Sequence, residues 1–337
     1  MRRPLLKYAC HIDHQPDGSV TYTYRTYTDL LPVPAETVSA IQDMNGRLKI
    51  TDLSERHDIR PVVLQAAVDE LVRRQLLLDG DRILRQDGLV TGMELFWKLE
   101  AALFRFRAAC PSTVRLARAI ASGSVPLTVA EGFCVEQSHI VRNAPQEITL
   151  AIANASQDGH RKLLMDFYLD EYTHGEVLLK GLKAYGYTRD FVLNCVPLPA
   201  TVGLVNTYND LARRNSFLYA VAMINDESRP ADPEPGLDSD PYYGLLKHFG
   251  FSEQAVRPFK WHANLDREKD HGMFFEEYFG LIPLVNPSDV AQAYATLRSV
   301  VELRDAVAAQ ILEYYATHDV ASRQSTQPID SSLLASA

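Results

Sequence analysis

The feature that most constrains this chain is a glutamate and a histidine placed on the apolar face of a predicted helix. Over residues 160–185, apolar side chains recur at every third or fourth position, and Glu171 and His174 belong to the same series. A buried carboxylate without a partner is costly, and a divalent metal ion is a strong partner. Because side chains at i and i+3 can reach one ion, the pair is typical of carboxylate-bridged di-iron sites. The apolar members of the series are Leu164, Phe167, Leu178 and Leu182.

Three other predicted helices carry the same kind of interruption. An upstream apolar stripe contains Glu136, a downstream stripe contains Glu227, and a fourth carries His262 and Asp266 one turn apart. An isolated Glu-x-x-His pair is most often a buried ion pair or a chance surface pair. Four helices that each place oxygen or nitrogen ligands on an apolar face favour a metal site instead.

Three neighbouring residues are weaker candidates. His139 forms a second Glu-x-x-His pair with Glu136 but lies off the apolar stripe. We interpret it as a side chain beside the site or as a hydrogen-bonded core histidine. Tyr168 and Tyr172 flank Glu171 and could line a substrate pocket, with aromatic core packing as the alternative.

Composition excludes several classes of protein. Lys and Arg number 34 against 43 Asp and Glu, a net charge of −9, which disfavours binding to a nucleic-acid backbone. The four cysteines form no CxxC pair, so neither a disulfide framework nor a structural zinc site is indicated. Neither a signal peptide nor an apolar run of about 18 residues is visible. We therefore expect a cytoplasmic protein without a membrane or nucleic-acid partner.

Residues 1–90 have a different pattern. The β-branched and aromatic run at 20–27 predicts a strand, and helices are predicted over 35–44, over 51–56 and from Pro61 onward. Gly80-Asp81, between 76–79 and 83–85, predicts a hairpin with a two-residue turn. The third helix has a predicted buried face of Leu64, Ala67, Val68, Leu71 and Val72. Three short helices followed by a hairpin form a winged-helix pattern.

This N-terminal pattern points to a peptide rather than to DNA. Residues 1–90 contain 12 basic and 13 acidic side chains, whereas a duplex-binding module usually has a basic stripe. The stretch resembles the peptide-binding winged-helix module of ribosomal peptide-modifying pathways, which is related to the peptide chaperone of pyrroloquinoline quinone biosynthesis. A structural accessory domain is the alternative.

The rest of the chain resembles a known family, the heme-oxygenase-like di-metal oxidases, over about residues 92–317. The segments that carry the resemblance are Glu136-Gln-Ser-His-Ile-Val-Arg-Asn-Ala-Pro145, Arg161, Asp170-Glu171, His174-Gly175, Leu178-Leu179, Gly186, Glu227 and His262-x-x-x-Asp266. The resemblance implies a mainly α protein with a heme-oxygenase-like seven-helix bundle that binds no heme. By position it implies six iron ligands, namely Glu136, Glu171, His174, Glu227, His262 and Asp266. The expected organisation is a small α/β winged-helix domain (1–90), the bundle (91–317) and a flexible tail (318–337).

One departure from the family pattern affects the ligand set. The family commonly has His-x-x-x-Asp-x-x-His, but here the last position is Lys269 and the next histidine is His271. On a regular helix His271 lies about 180° from His262, so both can be ligands only if the helix bulges or unwinds. The alternative register uses Glu268-x-x-His271, a ferritin-like pattern.

The two registers predict different helix faces. If His262 and Asp266 are the ligands, they share a face with Phe259 and Met273. If Glu268 and His271 are the ligands, Leu265 and Phe275 form the core stripe and His262 turns outward. We favour the first register and keep His271 as an additional ligand that requires a distorted helix.

The resemblance also implies an activity. It indicates a non-heme di-iron oxygenase or oxidase with two iron ions as cofactor and O₂ as co-substrate. The expected substrate is an amino-acid-derived small molecule or a precursor peptide of a natural-product pathway, and a homodimer is a candidate assembly. The alternatives are a metal-free, thiaminase-like bundle and a protein that docks a partner through its winged helix.

Overall fold

The computed structural model describes residues 3–7, 10–24, 27–83, 89–227, 240–268 and 271–325, with the backbone alone for 264–268, 271 and 272. Among these residues the strands are β1 Pro4–Leu6, β2 Cys10–His14, β3 Val20–Tyr24, β4 Tyr27–Leu30 and β5 Leu77–Asp79. The first helices are α1 Val38–Gln42, α2 Ile50–Arg56, α3 Pro61–Arg73, α4 Gly80–Ile83, α5 Gly92–Ala108 and α6 Ser112–Ala121. They are followed by α7 Leu127–Asn154, α8 Asp158–Glu171, α9 His174–Tyr185, α10 Arg189–Asn194 and α11 Pro199–Arg214. The last are α12 Ser216–Glu227, α13 Pro241–His248, α14 Glu253–Glu268, α15 His271–Gly280 and α16 Pro287–Tyr314.

The chain divides into two compact units. The first comprises Met1–Phe106, Ala220–Glu234 and Asp266–Arg298, and the second comprises Arg107–Tyr219, Pro235–Leu265 and Ser299–Ala337. No helix among the described residues combines the length and apolar character needed to cross a membrane.

The first unit contains an antiparallel sheet of order β2-β3-β4 and the pair β1-β5. Helices α1 to α3 close a hydrophobic core against β2 and β3, with Ile12, Ile41 and Leu64 fully buried. The predicted strand and the three predicted helices are therefore present, with the strand shorter than predicted. Val72 was placed on the buried face of α3 but is 45% exposed, because it lies about 80° from Leu64 on a regular helix, at the margin of the apolar arc.

The predicted hairpin after the third helix is wrong. Strand β5 pairs antiparallel with β1, and Gly80–Ile83 forms the short helix α4 in place of a two-residue turn. The backbone N–H of Gly80 donates to the carbonyl of Arg3, and a Cβ at Gly80 would lie 2.5 Å from the Cα of Gly46. Gly80 therefore allows two backbone segments to approach each other closely. The winged-helix interpretation is not confirmed. Residues 84 and 85 lie outside the described residues.

The second unit is arranged along the 28-residue helix α7, against which α8, α9 and α11 pack. The helix predicted over 160–185 is two helices, because Tyr172 and Thr173 form a turn between α8 and α9. The six predicted stripe residues are nevertheless all buried, since the turn preserves their common side.

Two further predictions need correction. Met273 is 48% exposed whereas Phe259 is 2% exposed, so Met273 does not belong to the buried face predicted for Phe259 and His262; residues 269 and 270, between α14 and α15, lie outside the described residues. The segment predicted as a flexible tail begins with packed residues: Val320 is buried, and Arg323 donates to the carbonyls of Val196 and Pro197. Residues 326–337 lie outside the described residues.

Candidate metal centre

The turn between α8 and α9 places a carboxylate beside an imidazole. Glu171 is the last residue of α8 and His174 is the first residue of α9. Their side chains meet with Glu171 Oε2 2.8 Å from His174 Nδ1. Only 6% of Glu171 and 1% of His174 is exposed, so both polar groups lie in the interior of the second unit.

A second imidazole reaches the pair from α14. The ring centroids of His174 and His262 are 4.8 Å apart, with an interplanar angle of 62°. One potential ligand atom from each of Glu171, His174 and His262 lies within 4.8 Å of the other two. Trp261 contacts the edge of the His174 ring at a centroid distance of 6.2 Å and helps to fix its orientation. The structure therefore brings three of the predicted site residues together.

Two glycines allow α9 to approach its neighbours this closely. A Cβ at Gly175 would lie 2.5 Å from Arg142 Cγ and 2.9 Å from its Cα on α7. A Cβ at Gly181 would lie 2.7 Å from the carbonyl oxygen of Ala255 on α14. Because these distances exclude any larger residue without a backbone shift, Gly175 sets the contact with α7 and Gly181 sets the contact with α14. Neither contact was anticipated from the sequence, although His174-Gly175 is part of the family resemblance.

The chemistry of this donor set fits iron. Two imidazoles and one carboxylate are the donors with which non-heme oxygenases hold a single Fe(II), so this cluster fits one iron ion. The three side chains come from three helices; Glu171 and His174 are buried and His262 is partly buried, and a buried carboxylate needs a positive partner. Apolar residues one turn from each ligand (Phe167, Leu178 and Phe259) are buried and limit the access of water.

Glu136 lies outside this cluster and has protein donors of its own. Both of its carboxylate oxygens accept from the backbone N–H of Leu198 at 3.2 Å, at the start of α11. The hydroxyl of Tyr315 donates to Oε1 at 2.9 Å. Burial raises the pKa of Glu136, and the hydrogen bonds from Tyr315 and from the backbone N–H of Leu198 oppose that shift. The arrangement anchors α11 and α16 to α7.

Among the described side chains, the cluster contains none of the other predicted ligands. Glu227 is partly buried at the end of α12. The side chains of Asp266, Glu268 and His271 lie outside the described residues. The helix distortion predicted between His262 and His271 falls on residues 269 and 270, which lie outside the described residues as well.

The neighbouring candidates are now placed. The rings of Tyr168 and Tyr172 stack on each other with centroids 6.0 Å apart, and Tyr172, in the turn after α8, is 54% exposed. This placement does not support the pocket-lining interpretation for Tyr172. Burial together with the charges of Arg142 and Arg323 lowers the pKa of His139 to about 4, so its imidazole is neutral near pH 7.

Comparisons with known proteins define the class first. A solved structure from Shewanella denitrificans OS217, a domain of unknown function with a heme oxygenase-like fold, matches with a TM-score of 0.54 at 15% identity. The match covers 65% of this chain and 92% of that one. A TenA homolog from Pseudomonas syringae pv. tomato str. DC3000 gives a TM-score of 0.47 at 13% identity, covering 63% of this chain and 93% of that one. The first match confirms the predicted mainly helical, heme-oxygenase-like fold; the second is too distant to carry an argument.

The family follows from the sequence itself. Residues 131–305 match the model of a family described as iron-containing redox enzymes, and this chain belongs to that family. A search of curated proteins finds no match. The matched region includes Glu171, His174 and His262.

Proposed function

We propose that this protein is a non-heme di-iron oxygenase or oxidase that uses O₂. The observation that carries the proposal is the buried cluster of Glu171, His174 and His262 in a chain of an iron-containing redox family. Iron bound there would bind O₂ and mediate the transfer of electrons from the substrate to O₂.

The protein's own side chains provide the metal ligands, and the buried apolar residues around them exclude water. Glu171 provides the anionic ligand, and its contact with His174 fixes the imidazole at the start of α9. His262, on α14, is the third proposed ligand of the first iron ion. For the second iron we propose Glu227, Asp266 and His271, with Glu268 as the alternative in the second register. Glu136 we now assign to anchoring α11, since its oxygens already accept from Leu198 and Tyr315.

The proposed substrate is an amino-acid-derived molecule, free or within a peptide. Support for a peptide comes from β4, an edge strand of the three-stranded sheet with Tyr27 and Leu30 each 59% exposed. An open strand edge with exposed apolar side chains is a template for an added strand.

The iron content of matched variants tests the proposal. Glu171→Gln and His174→Gln should lose iron while keeping the helix content of the wild type, because each removes one ligand from a packed core. Glu136→Gln is the control: it is as deeply buried but lies outside the cluster, and it should retain iron. Metal analysis after anaerobic reconstitution, with circular dichroism for folding, measures both.

Two results would contradict the assignment. Full iron retention in Glu171→Gln would remove the cluster as the binding site. Loss of iron in a well-folded Glu136→Gln would return Glu136 to the ligand set. A wild-type protein that is folded, takes up no iron and does not consume O₂ would favour the metal-free alternative.

A further inference from the structure

Outside the candidate metal centre, three polar side chains on α7 share one side of the helix. Each has a solvent-inaccessible atom without a hydrogen-bond partner among the described residues, namely Ser138 Oγ, His139 Nε2 and Arg142 Nη1. Since residues three and four positions apart are neighbours on a helix, the three form a single group, which we call the α7 polar cluster. Buried polar atoms in folded proteins are normally paired, so such a group calls for an explanation.

The charges around the cluster are mostly positive. Glu176 is an acidic side chain whose charge acts on Arg142, but both Glu176 oxygens accept from Arg189, at 2.5 and 2.8 Å. No carboxylate among the described residues lies within ion-pair distance of Arg142. Arg323, whose charge also acts on His139, donates to backbone carbonyls. The guanidinium of Arg142 is thus partly buried without a paired anion.

A carboxylate would satisfy this group better than water would. Water can accept a hydrogen bond from Arg142 but cannot offset its charge, whereas a carboxylate does both with two oxygens. The neutral imidazole of His139 can donate from Nε2, and the hydroxyl of Ser138 can donate from Oγ. Because these atoms are closed to solvent, the bound group must be small.

We propose that the α7 polar cluster binds the carboxylate of a small organic acid, with Arg142 as the cationic partner and His139 and Ser138 as donors. The cluster adjoins the metal centre along the chain, because Arg142 packs against Gly175, the residue after His174. Resting on the proposed function, this makes the substrate a carboxylic acid that is held beside the start of α9.

Acetate binding to chelator-treated, iron-free full-length protein tests the inference. Acetate should raise the melting temperature in a saturable way, because a ligand that binds only the folded state stabilises it. Sodium chloride at equal ionic strength and neutral acetamide should not. Arg142→Met should abolish the acetate-dependent shift, while Arg214→Met, which changes an exposed arginine paired with Asp210, should leave it intact.

The outcomes separate this inference from the proposed function. If the wild type shows no saturable acetate effect, or if Arg142→Met keeps it, the cluster holds water only and the inference is wrong. If Arg142→Met does not fold, His139→Gln and Ser138→Ala should each weaken acetate binding at least several-fold, and unchanged binding in both would overturn the inference. Iron uptake is measured in parallel, so failure of the acetate site alone leaves the metal assignment standing.

Discussion

At the scale of single residues, the sequence reveals which polar groups are buried but not what they contact. Glu136 and Glu171 interrupt apolar stripes in the same way, and both are buried. Glu171 meets a histidine three residues away, a local relation that spacing can predict. Glu136 meets Leu198 and Tyr315, which are 62 and 179 residues away, and no helical periodicity contains that information. The close helix contacts at Gly175 and Gly181 could not be predicted from the sequence either, because these glycines act through the absence of a side chain.

Gly181→Ala tests how closely the ligand helices must pack. The new Cβ would lie 2.7 Å from Ala255 O and 2.8 Å from Phe259 Cε2, so α9 and α14 must separate. We expect a loss of about 1–3 kcal/mol in the free energy of unfolding, as for other overpacked cores, together with reduced iron occupancy. Chemical denaturation and metal analysis measure these effects.

Gly203→Ala is the matched control. Gly203 lies within α11, and the nearest atom to its added Cβ is Leu303 Cδ2 at 3.9 Å. Alanine there should raise the free energy of unfolding by about 0.5–1 kcal/mol and leave iron uptake unchanged. Equal iron uptake in Gly181→Ala and Gly203→Ala would show that the contact between α9 and α14 does not position the site.

At the scale of elements, periodicity predicted where helices lie better than where they stop. The 160–185 stripe continues through the turn at Tyr172 and Thr173, because the residues on either side keep one buried face. The Gly80-Asp81 pair has hairpin chemistry, yet β5 pairs with β1 at the start of the chain. Strand pairing over such a separation depends on tertiary contacts that a local turn signal cannot report.

The edge strand β4 carries the prediction that belongs to this scale. If a peptide adds to β4, placing lysine at Tyr27 or Leu30 should weaken its binding at least several-fold, because charges on an edge disfavour strand addition. Arrays of random 12-residue peptides, probed with the full chain and then with Tyr27→Lys and Leu30→Lys, provide the measurement. Binding that is unaffected by both changes would exclude β4, and tight binding of duplex DNA that collapses with added salt would reverse the assignment.

At the scale of the whole molecule, the predicted mainly helical, heme-oxygenase-like fold is confirmed, and the family is one of iron-containing redox enzymes. The fold and the family could be predicted from the sequence because several motifs occur in the same order and spacing as in the family that the chain resembles. The three-residue cluster gathers Glu171 and His174 with a histidine about 90 residues further along, which only the fold could bring together. The ligands proposed for the second iron (Glu227, Asp266 and His271) stay a prediction from the family resemblance.

The central claim, a di-iron centre, is tested most directly by an anaerobic titration of the metal-free wild-type protein with Fe(II). The account predicts saturation at two equivalents per chain, followed by O₂ consumption when air is admitted. Saturation at one equivalent would leave only the cluster of Glu171, His174 and His262 as a metal site and contradict the di-iron assignment. No binding by well-folded protein would contradict the metal assignment altogether.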